Sequence, residues 1–361
     1  MDPHVSACPS CGEPVAADAL FCEACGAQVS AGVVPGRLDA PDNADDASPI
    51  SEPTRIKATD VVVTPVVVPC AECGGVVGPD GYCESCGIKA PRERDHFREQ
   101  PGAGVAAVSD RGIRHHRNED AMAVSASESR VVLVVCDGVS SSIDSDVASL
   151  AGARAARDVL RPGWPAGLGT PDSAEAAAVK VQVAAVAAAN TAVIANTSPS
   201  SPNPASCTYV SAVLDGSLLR FAVVGDSRAY WLPDSGEGVK LTRDDSMASM
   251  LMAGGMPRAE AETAPQAHAI TKWLGKDSSD IVPVCGSTVL QEPGWVLACS
   301  DGLWNYASEP AALKARIDVV GSSDPMAIAL ALVAFANESG GQDNITVALA
   351  RYPREPVVAS T

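Results

Sequence analysis

Residues 131–142 read VVLVVCDGVSSS, and this stretch decides how the rest of the chain is interpreted. Five apolar residues and a cysteine in succession are typical of the inside of a strand. Asp137 follows this run at once, and Gly138 comes directly after it. An ionised carboxylate at the end of a buried strand needs a partner, so the first question is what Asp137 binds.

Similar apolar runs recur between residues 103 and 353. They predict strands at 217–225, 228–232, 295–299 and 344–352. Helices are predicted at 146–161, at 174–196 and from Asp324-Pro325 to about Glu338, and Asp172 and Glu175 have capping-box spacing for the second of them. Helices beside several apolar strands indicate an α+β fold packed in layers.

Composition excludes some classes of protein. The 361 residues are 46% hydrophobic and carry a formal net charge of −18, which argues against a large basic surface for nucleic acid. No apolar run is expected to reach the roughly 20 residues of a membrane helix. The opening residues MDPHVSACPSCGEP lack the charged and apolar regions of a secretory signal, so we expect a cytoplasmic protein without membrane contact.

Eight of the twelve cysteines form four Cys-x-x-Cys pairs, each followed by glycine. Two pairs on a short hairpin direct four thiolates to one point, which suits zinc better than the open alternatives of disulfides or redox chemistry. The segments resemble each other and the zinc-ribbon family. The expected ligands of two structural Zn²⁺ ions are Cys8, Cys11, Cys22 and Cys25, and Cys70, Cys73, Cys83 and Cys86.

These features predict a division of the chain into six segments. They are zinc ribbon 1 (1–29), a flexible acidic and proline-rich linker (30–66), zinc ribbon 2 (67–90), a connector (91–102), a globular domain (103–353) and a tail (354–361). Few basic residues lie near the ribbons, so a protein partner is a better expectation for them than nucleic acid.

Further carboxylates stand at predicted strand ends. They are Asp110, Glu119, Asp120, Asp226, Asp301 and Asp343. Each one alone suits an ordinary turn or a local cap. If they meet at one edge of a sandwich they repel one another, and ligation by oxygen alone favours Mg²⁺ or Mn²⁺ as the compensating ion.

The order of the motifs resembles the metal-dependent protein phosphatase family, type 2C (PPM), over essentially all of residues 103–353. The motifs are SDRGIRHHRNEDA, VVCDGVSSS, GDSRAY, LTRDDS, ACSDGLW and GGQDNITV. The resemblance implies a central antiparallel β-sandwich flanked by helices, in α-β-β-α layers. It also implies a metal channel at one edge and hydrolysis of phosphoserine and phosphothreonine by a water that two metal ions activate.

The resemblance further implies roles for particular residues. Asp137 matches the aspartate that bridges two ions, and the Gly138 carbonyl matches a ligand of one of them. Asp301 and Asp343 match ligands of the second ion, and Asp226 matches a ligand of a third ion. Glu119 and Asp120 match an acidic pair that holds metal-bound water. Two or three Mn²⁺ or Mg²⁺ ions are therefore implied, with phosphoproteins from a serine/threonine kinase as substrates.

The chain departs from the family where substrate phosphate is bound. His115 stands at the usual arginine position, with Arg114 and Arg117 nearby. These three residues are the expected phosphate contacts, although the segment also suits a solvated turn. The departure leaves open an alternative function, in which a weak or inactive phosphatase fold senses phosphorylated proteins. Residues 245–285 correspond to the flap beside the channel, whose Met-rich stretch suits either a lid or ordinary packing.

Overall fold

The computed structural model describes residues 69–70, 72–78, 81–87, 90, 92–140, 142 and 144–353 in full, and 5–7 and 14–16 by their backbone. These residues divide into two compact units, and the boundary lies between Arg92 and Glu93. The linker, the tail and the cysteines of the first predicted ribbon lie outside the described residues.

The first unit contains short antiparallel pairings. Strand β1 (Val5–Ala7) pairs with β2 (Pro14–Ala16) in an antiparallel hairpin. Further along, isolated bridges join Pro69 to Val76 and Val77 to Cys83. These pairings are of the kind expected for small hairpin modules.

The second unit alternates strands and helices along the chain. Its strands are β3 (His96–Gly102), β4 (Val105–Asp110), β5 (Ala121–Ala126), β6 (Arg130–Cys136), β7 (Ser206–Cys207), β8 (Tyr209–Asp215), β9 (Leu218–Val224), β10 (Arg228–Pro233), β11 (Val239–Lys240), β12 (Leu274–Gly275), β13 (Val284–Val289), β14 (Gly294–Cys299) and β15 (Ile345–Tyr352). Its helices are α1 (Ser145–Leu160), α2 (Pro171–Ala195), α3 (Met247–Ala253), α4 (Arg258–Ala261), α5 (Asp301–Trp304), α6 (Pro310–Val320) and α7 (Pro325–Glu338).

Two antiparallel sheets form the centre of this unit. One has six strands in the order β11-β10-β14-β15-β4-β3, and the other has five in the order β13-β9-β8-β6-β5. A small pair, β12-β7, lies outside both sheets. The expected α+β fold, a sandwich of antiparallel sheets flanked by helices, is confirmed.

Strand β6 shows why the opening stretch is apolar without interruption. Val131, Leu133 and Val135 belong to the core between the sheets, whereas Val132, Val134 and Cys136 belong to the core beneath α1 and α2. Successive side chains of a strand point to opposite faces, so a strand covered on both faces has no position left for a polar residue. A third core packs α6 and α7 on the six-stranded sheet, which completes the α-β-β-α layers.

Two local predictions differ from the structure. The connector assigned to 91–102 contains β3, which pairs with β4 and so belongs to the six-stranded sheet. Helix α2 begins at Pro171 rather than 174, because the capping box is formed by Thr170 and Ser173. The predicted Asp172–Glu175 box is therefore wrong, and Glu175 instead accepts a hydrogen bond from Arg220.

Helix α2 also corrects the expectation about apolar length. Its 25 residues, with a mean hydropathy of 1.6 over the most apolar window, are long and apolar enough to cross a membrane. A helix that packs on the core of a globular protein can meet the same criteria. Of the most apolar window of α2, 33% is buried inside the fold. Within the fold, Gln182 of α2 donates from Nε2 to the carbonyl of Phe221 in β9, at 2.8 Å, so α2 lies on the five-stranded sheet.

Candidate active site

Antiparallel pairing brings the predicted site residues to one end of the sandwich. The register Ala121↔Cys136 places Asp120, just before β5, beside Asp137, just after β6. Likewise, Cys299↔Val347 brings the end of β14 next to the start of β15. Asp301 and Asp343 flank that second junction, so carboxylates far apart in sequence become neighbours.

The glycines after Asp137 and Asp301 are required by close backbone contacts. A Cβ atom on Gly138 would lie 2.6 Å from the carbonyl oxygen of Glu119, and one on Gly302 would lie 2.0 Å from that of Asn344. No side chain fits at either distance. Each Asp-Gly pair therefore allows one strand end to pack directly against the backbone of another.

The carboxyl groups strongly influence one another's ionisation. Burial raises the pKa of Asp137 and Asp301 well above the ordinary value, and neighbouring carboxylates raise both further. Burial likewise raises the pKa of Asp120 and Asp226 to about 7. Asp343 contributes to the repulsion at all four groups. This protein thus holds more negative charge in one place than its own side chains neutralise.

Hydrogen bonds orient Asp120 but leave one of its oxygens free. Ser300 Oγ donates to Asp120 Oδ2 at 2.6 Å and accepts from the Thr346 backbone N–H at 2.9 Å. Asp120 Oδ1 is buried without a hydrogen-bond partner, as is Asp301 Oδ1. Buried unpartnered carboxylate oxygens are costly, and a cation ligated by these oxygens would remove that cost.

Glu119 is fixed through both its backbone and its side chain. Its backbone N–H donates to Asn344 Oδ1 at 2.7 Å, and its carbonyl accepts from Ser149 Oγ at 2.6 Å. Its Oε1 accepts from Arg117, with Nη2 at 2.6 Å, and from Ser145 Oγ. Glu119 is therefore held rigidly at the edge of the acidic cluster.

His115, at the family's arginine position, faces the acidic cluster. Its Nε2 lies 3.3 Å from Asp343 Oδ1, and its Nδ1 lies 3.9 Å from Glu119 Oε2. The side chain is only 15% exposed. His115 is thus part of the site, and the solvated-turn interpretation does not apply to it.

The two neighbouring arginines are placed differently. Arg117 Nη2 donates to the carbonyl of Ser142 at 2.7 Å as well as to Glu119, so its guanidinium supports the site's structure. Arg114 is exposed, and its backbone N–H donates to the Gly341 carbonyl at 3.1 Å. Of the three expected phosphate contacts, His115 lies beside Asp343, Arg117 is bound to Glu119 at the edge of the cluster, and the Arg114 side chain is exposed.

Asp226 lies at the side of the cluster, next to a cavity of about 760 Å³. Its carbonyl accepts from Trp304 Nε1 at 3.0 Å, and the guanidinium of Arg228 stacks on the Trp304 ring at 3.6 Å from the ring centroid. Residues of the predicted flap line the cavity, including Met252, whereas Met250 is 57% exposed. The Met-rich stretch is therefore not simple core packing.

Asn344 is a site residue that the sequence reasoning missed. Besides accepting from Glu119, it donates from Nδ2 to the carbonyls of Arg111 at 2.7 Å and Arg117 at 3.0 Å. It thereby ties the 111–119 loop to the start of β15. Its position directly after Asp343 was the available signal, and it suggested only a local cap. That cap exists, because the Asn344 N–H donates to Asp343 Oδ1 at 2.7 Å.

We expect Asn344→Ala to lower the thermal midpoint of the second unit by about 5–10 °C. The change leaves a buried N–H and two carbonyls without partners, at a cost of roughly 2–4 kcal/mol. Scanning calorimetry of the full chain measures this. Asn196→Ala is the matched control, since Asn196 is exposed and bonds only within its own helix end at Ala192. Equal midpoints for the two variants would contradict the assignment.

The four cysteines of the second predicted ribbon converge in the first unit. The Sγ atoms of Cys70, Cys73, Cys83 and Cys86 all lie within 4.8 Å of one another. Two Sγ pairs are separated by 3.7 and 3.4 Å, close to the roughly 3.8 Å edge of a tetrahedral zinc–sulfur site. Hydrogen bonds from the Cys86 and Ser85 backbone N–H groups lower the pKa of Cys83 to about 6, and this favours the thiolate that zinc requires.

The acidic cluster is more open than the cysteine set. Within the described part of the chain, only the cysteines bring three or more ligand atoms within 4.8 Å of one another. A centre with two ions about 3.5–4 Å apart spreads its ligands over a larger volume than a single zinc ion does. Their oxygen-only chemistry and unpartnered buried oxygens fit Mg²⁺ or Mn²⁺.

A helix-flanked antiparallel sandwich with converging aspartates at one end is the architecture expected of a metal-dependent phosphatase. Residues 111–320 match the family model described as Protein phosphatase 2C, and the chain belongs to that family. Residues 8–87 match the family model described as Double zinc ribbon. The second match includes both cysteine segments.

Relatives of established name are similar to the phosphatase part. Protein phosphatase PhpP of Streptococcus pneumoniae is 38% identical over 148 residues, which cover 40% of this chain and 57% of PhpP. Serine/threonine protein phosphatase PstP of Mycobacterium tuberculosis is 32% identical over 250 residues, 68% of this chain and 44% of PstP. The alignments thus span about half the length of these relatives.

Solved structures support the fold. A serine/threonine phosphatase of S. agalactiae superimposes with a TM-score of 0.57 at 24% identity, covering 70% of this chain and 98% of that one. The M. tuberculosis PstP structure gives a TM-score of 0.54 at 26% identity, covering 68% and 97%. Both agree with the layered sandwich described above.

Proposed function

We propose that this protein is a metal-dependent protein serine/threonine phosphatase. The observation that carries the proposal is the convergence of Asp137, Asp301, Asp120 and Asp226, whose pKa values burial and mutual repulsion raise. In a phosphatase 2C fold, a concentration of buried carboxylates such as this is the expected property of residues that bind divalent cations.

Two Mn²⁺ or Mg²⁺ ions bound here would supply an activated water and neutralise the phosphoryl oxygens. The ligands of these two ions would be Asp137, the Gly138 carbonyl, Asp301 and Asp343. Asp226 would bind a third ion. Ser300 holds Asp120 through Oδ2 and leaves Oδ1 without a hydrogen-bond partner, and Arg117 holds Glu119 at the edge of the cluster. With the ions bound, Asp120 and Glu119 would be the acceptors that hold water at the site.

Phosphate release from a phosphothreonine peptide by the full chain tests the proposal. We expect release that depends on added Mn²⁺ or Mg²⁺ and stops with chelator, and little release from a phosphotyrosine peptide. Release that chelator does not affect would contradict the metal mechanism. The natural substrates under this proposal are proteins phosphorylated by a serine/threonine kinase, in the cytoplasm.

One observation favours a second candidate, a binding protein that senses phosphorylation without hydrolysis. Arg117 is occupied by Glu119 and Ser142, and His115 replaces arginine, so no guanidinium at these two positions is free for substrate phosphate. Phosphopeptide binding in the presence of Mn²⁺, measured by calorimetry and without phosphate release, would favour this candidate.

The cysteine segments are proposed to hold two structural Zn²⁺ ions and to recruit a protein partner. We expect Cys83→Ser to lower the zinc content of the full chain by one equivalent, because a serine hydroxyl is a far weaker ligand than the thiolate. Elemental analysis after gel filtration measures this. Cys285→Ser is the control, since Cys285 lies in β13 of the second unit and belongs to none of the Cys-x-x-Cys pairs. Unchanged zinc in Cys83→Ser would refute the assignment.

A further inference from the structure

His115 has the surroundings of a metal-binding histidine. Histidines that ligate metals commonly direct one ring nitrogen to the ion while a carboxylate faces the other nitrogen and orients the ring. Here Nε2 is directed to the Asp343 carboxylate at 3.3 Å, and Nδ1 faces Glu119 Oε2 at 3.9 Å. Both nitrogens therefore face acidic groups on opposite sides of a largely buried ring.

The distance to Asp343 suits two ligands of one ion. Donor atoms about 2.1 Å from an ion and at right angles to each other are about 3.0 Å apart. Asp343 Oδ1 already accepts the Asn344 backbone N–H at 2.7 Å, so it does not depend on a proton from His115. Nε2 thus lies beside the carboxylate that is proposed to bind an ion, at a spacing close to that of two ligands of one ion.

Glu119 is suited to the orienting role. Arg117 and Ser145 fix its Oε1, and its backbone is held by Asn344 and Ser149. Its Oε2 is the atom closest to His115 Nδ1. A rigid carboxylate on the Nδ1 side favours a ring orientation in which Nε2 is the nitrogen directed to Asp343.

We infer that His115 Nε2 is a ligand of the ion that Asp343 binds, oriented by Glu119, rather than a contact for substrate phosphate. The inference rests on the proposed function, since it concerns that function's metal centre. With His115 bound, the metal centre has one nitrogen ligand among its oxygen ligands. Mg²⁺ prefers oxygen ligands only, whereas imidazole binds transition ions well, so this centre selects Mn²⁺ over Mg²⁺ more strongly than an all-oxygen site.

Pulsed electron paramagnetic resonance of the full chain, with Mn²⁺ at one and at two equivalents, tests for a directly bound nitrogen. We expect modulation from a coordinated imidazole, which shifts when the protein carries ¹⁵N-histidine. It should vanish in His115→Gln and persist in His116→Gln, the adjacent matched control. A wild-type protein that binds Mn²⁺ but shows no histidine nitrogen at either loading would overturn the inference.

Calorimetric titration provides a second measurement. We expect His115→Gln to weaken Mn²⁺ binding by about 10–100-fold, the scale reported for perturbing a metal site's supporting groups, and Mg²⁺ binding much less. His115→Arg restores the family residue and should show the same loss. If His115→Arg instead tightens inorganic phosphate binding with Mn²⁺ affinity unchanged, His115 is a phosphate contact and the inference is wrong.

The two proposals fail in different ways. Metal-dependent phosphate release without a nitrogen signal would leave the phosphatase function intact and remove only the role of His115. Absence of both release and Mn²⁺ binding in the wild-type chain would refute the phosphatase function, and the inference with it. Melting curves of each variant establish that the second unit is folded before either result is interpreted.

Discussion

Asp137→Asn is expected to reduce metal-dependent phosphate release by more than about 100-fold while the second unit remains folded. Changes to groups that merely support a metal ligand already cost about 10–100-fold, and Asp137 occupies the centre of the carboxylate cluster. Asparagine has the same shape but no charge, so the Thr208 contacts to the Asp137 backbone at 2.8 and 3.1 Å can persist.

Steady-state phosphate release at saturating Mn²⁺ is the measurement for this variant. Asp158→Asn is the matched control, because Asp158 is exposed on α1 and pairs only with the adjacent Arg157. It should retain wild-type turnover. Asp137→Asn with turnover within about tenfold of wild type would mean that Asp137 does not bridge the reactive ions, and the assignment of the site would have to change.

The sequence predicted those parts of the fold that depend on residues adjacent to one another along the chain. Helix α7 begins at Pro325 after the Asp324 cap, as expected, because the cap and the proline act within one turn. Strand β6 and Asp137 at its end were equally clear from the opening stretch. The carboxylates could be identified together because each follows or precedes an apolar strand, and antiparallel strands bring such positions to one end.

Contacts between distant segments could not be predicted in the same way. Ser300 meets Asp120 across 180 positions, and Asn344 meets Glu119 across 225. No periodicity links such pairs, since Ser300 and Asn344 adjoin strands of the six-stranded sheet, whereas Glu119 and Asp120 directly precede β5 of the five-stranded sheet. Their proximity therefore depends on how the two sheets pack against each other. The inward direction of His115 belongs partly to the same class, because one of the two carboxylates that face its ring, that of Asp343, is distant in sequence.

Without divalent ions, the second unit is expected to become less stable as pH rises from about 4 to about 7. Burial raises the pKa of Asp120 and Asp226 from 3.8 to about 7. Between these values the folded state binds more protons than the unfolded state, so the free energy of unfolding falls with increasing pH. Above about pH 7 both states are ionised at Asp120 and Asp226, and the contribution of these two groups to the decline ends.

The expected size of this loss is large. A pKa shift from 3.8 to about 7 corresponds to roughly 4 kcal/mol for one group, so we expect the thermal midpoint to fall by about 10 °C or more across the window. The Arg351 side chain lowers the pKa of Asp234, and Lys272 lowers that of Asp280. These two groups change stability only below about pH 4 and do not offset the loss.

The measurement is thermal unfolding of the chelator-treated full chain at several pH values, followed by tryptophan fluorescence. This signal reports on the second unit, because all five tryptophans lie between residues 164 and 304. Mn²⁺ added at pH 8 should raise the midpoint, since an ion bound only by the folded state stabilises it. Asp137→Asn should show a shallower pH dependence and a smaller response to Mn²⁺. A midpoint that rises with pH between 4 and 7 would show that the carboxylates do not repel one another as the structure indicates, and the case for a cation site would lose its physical basis.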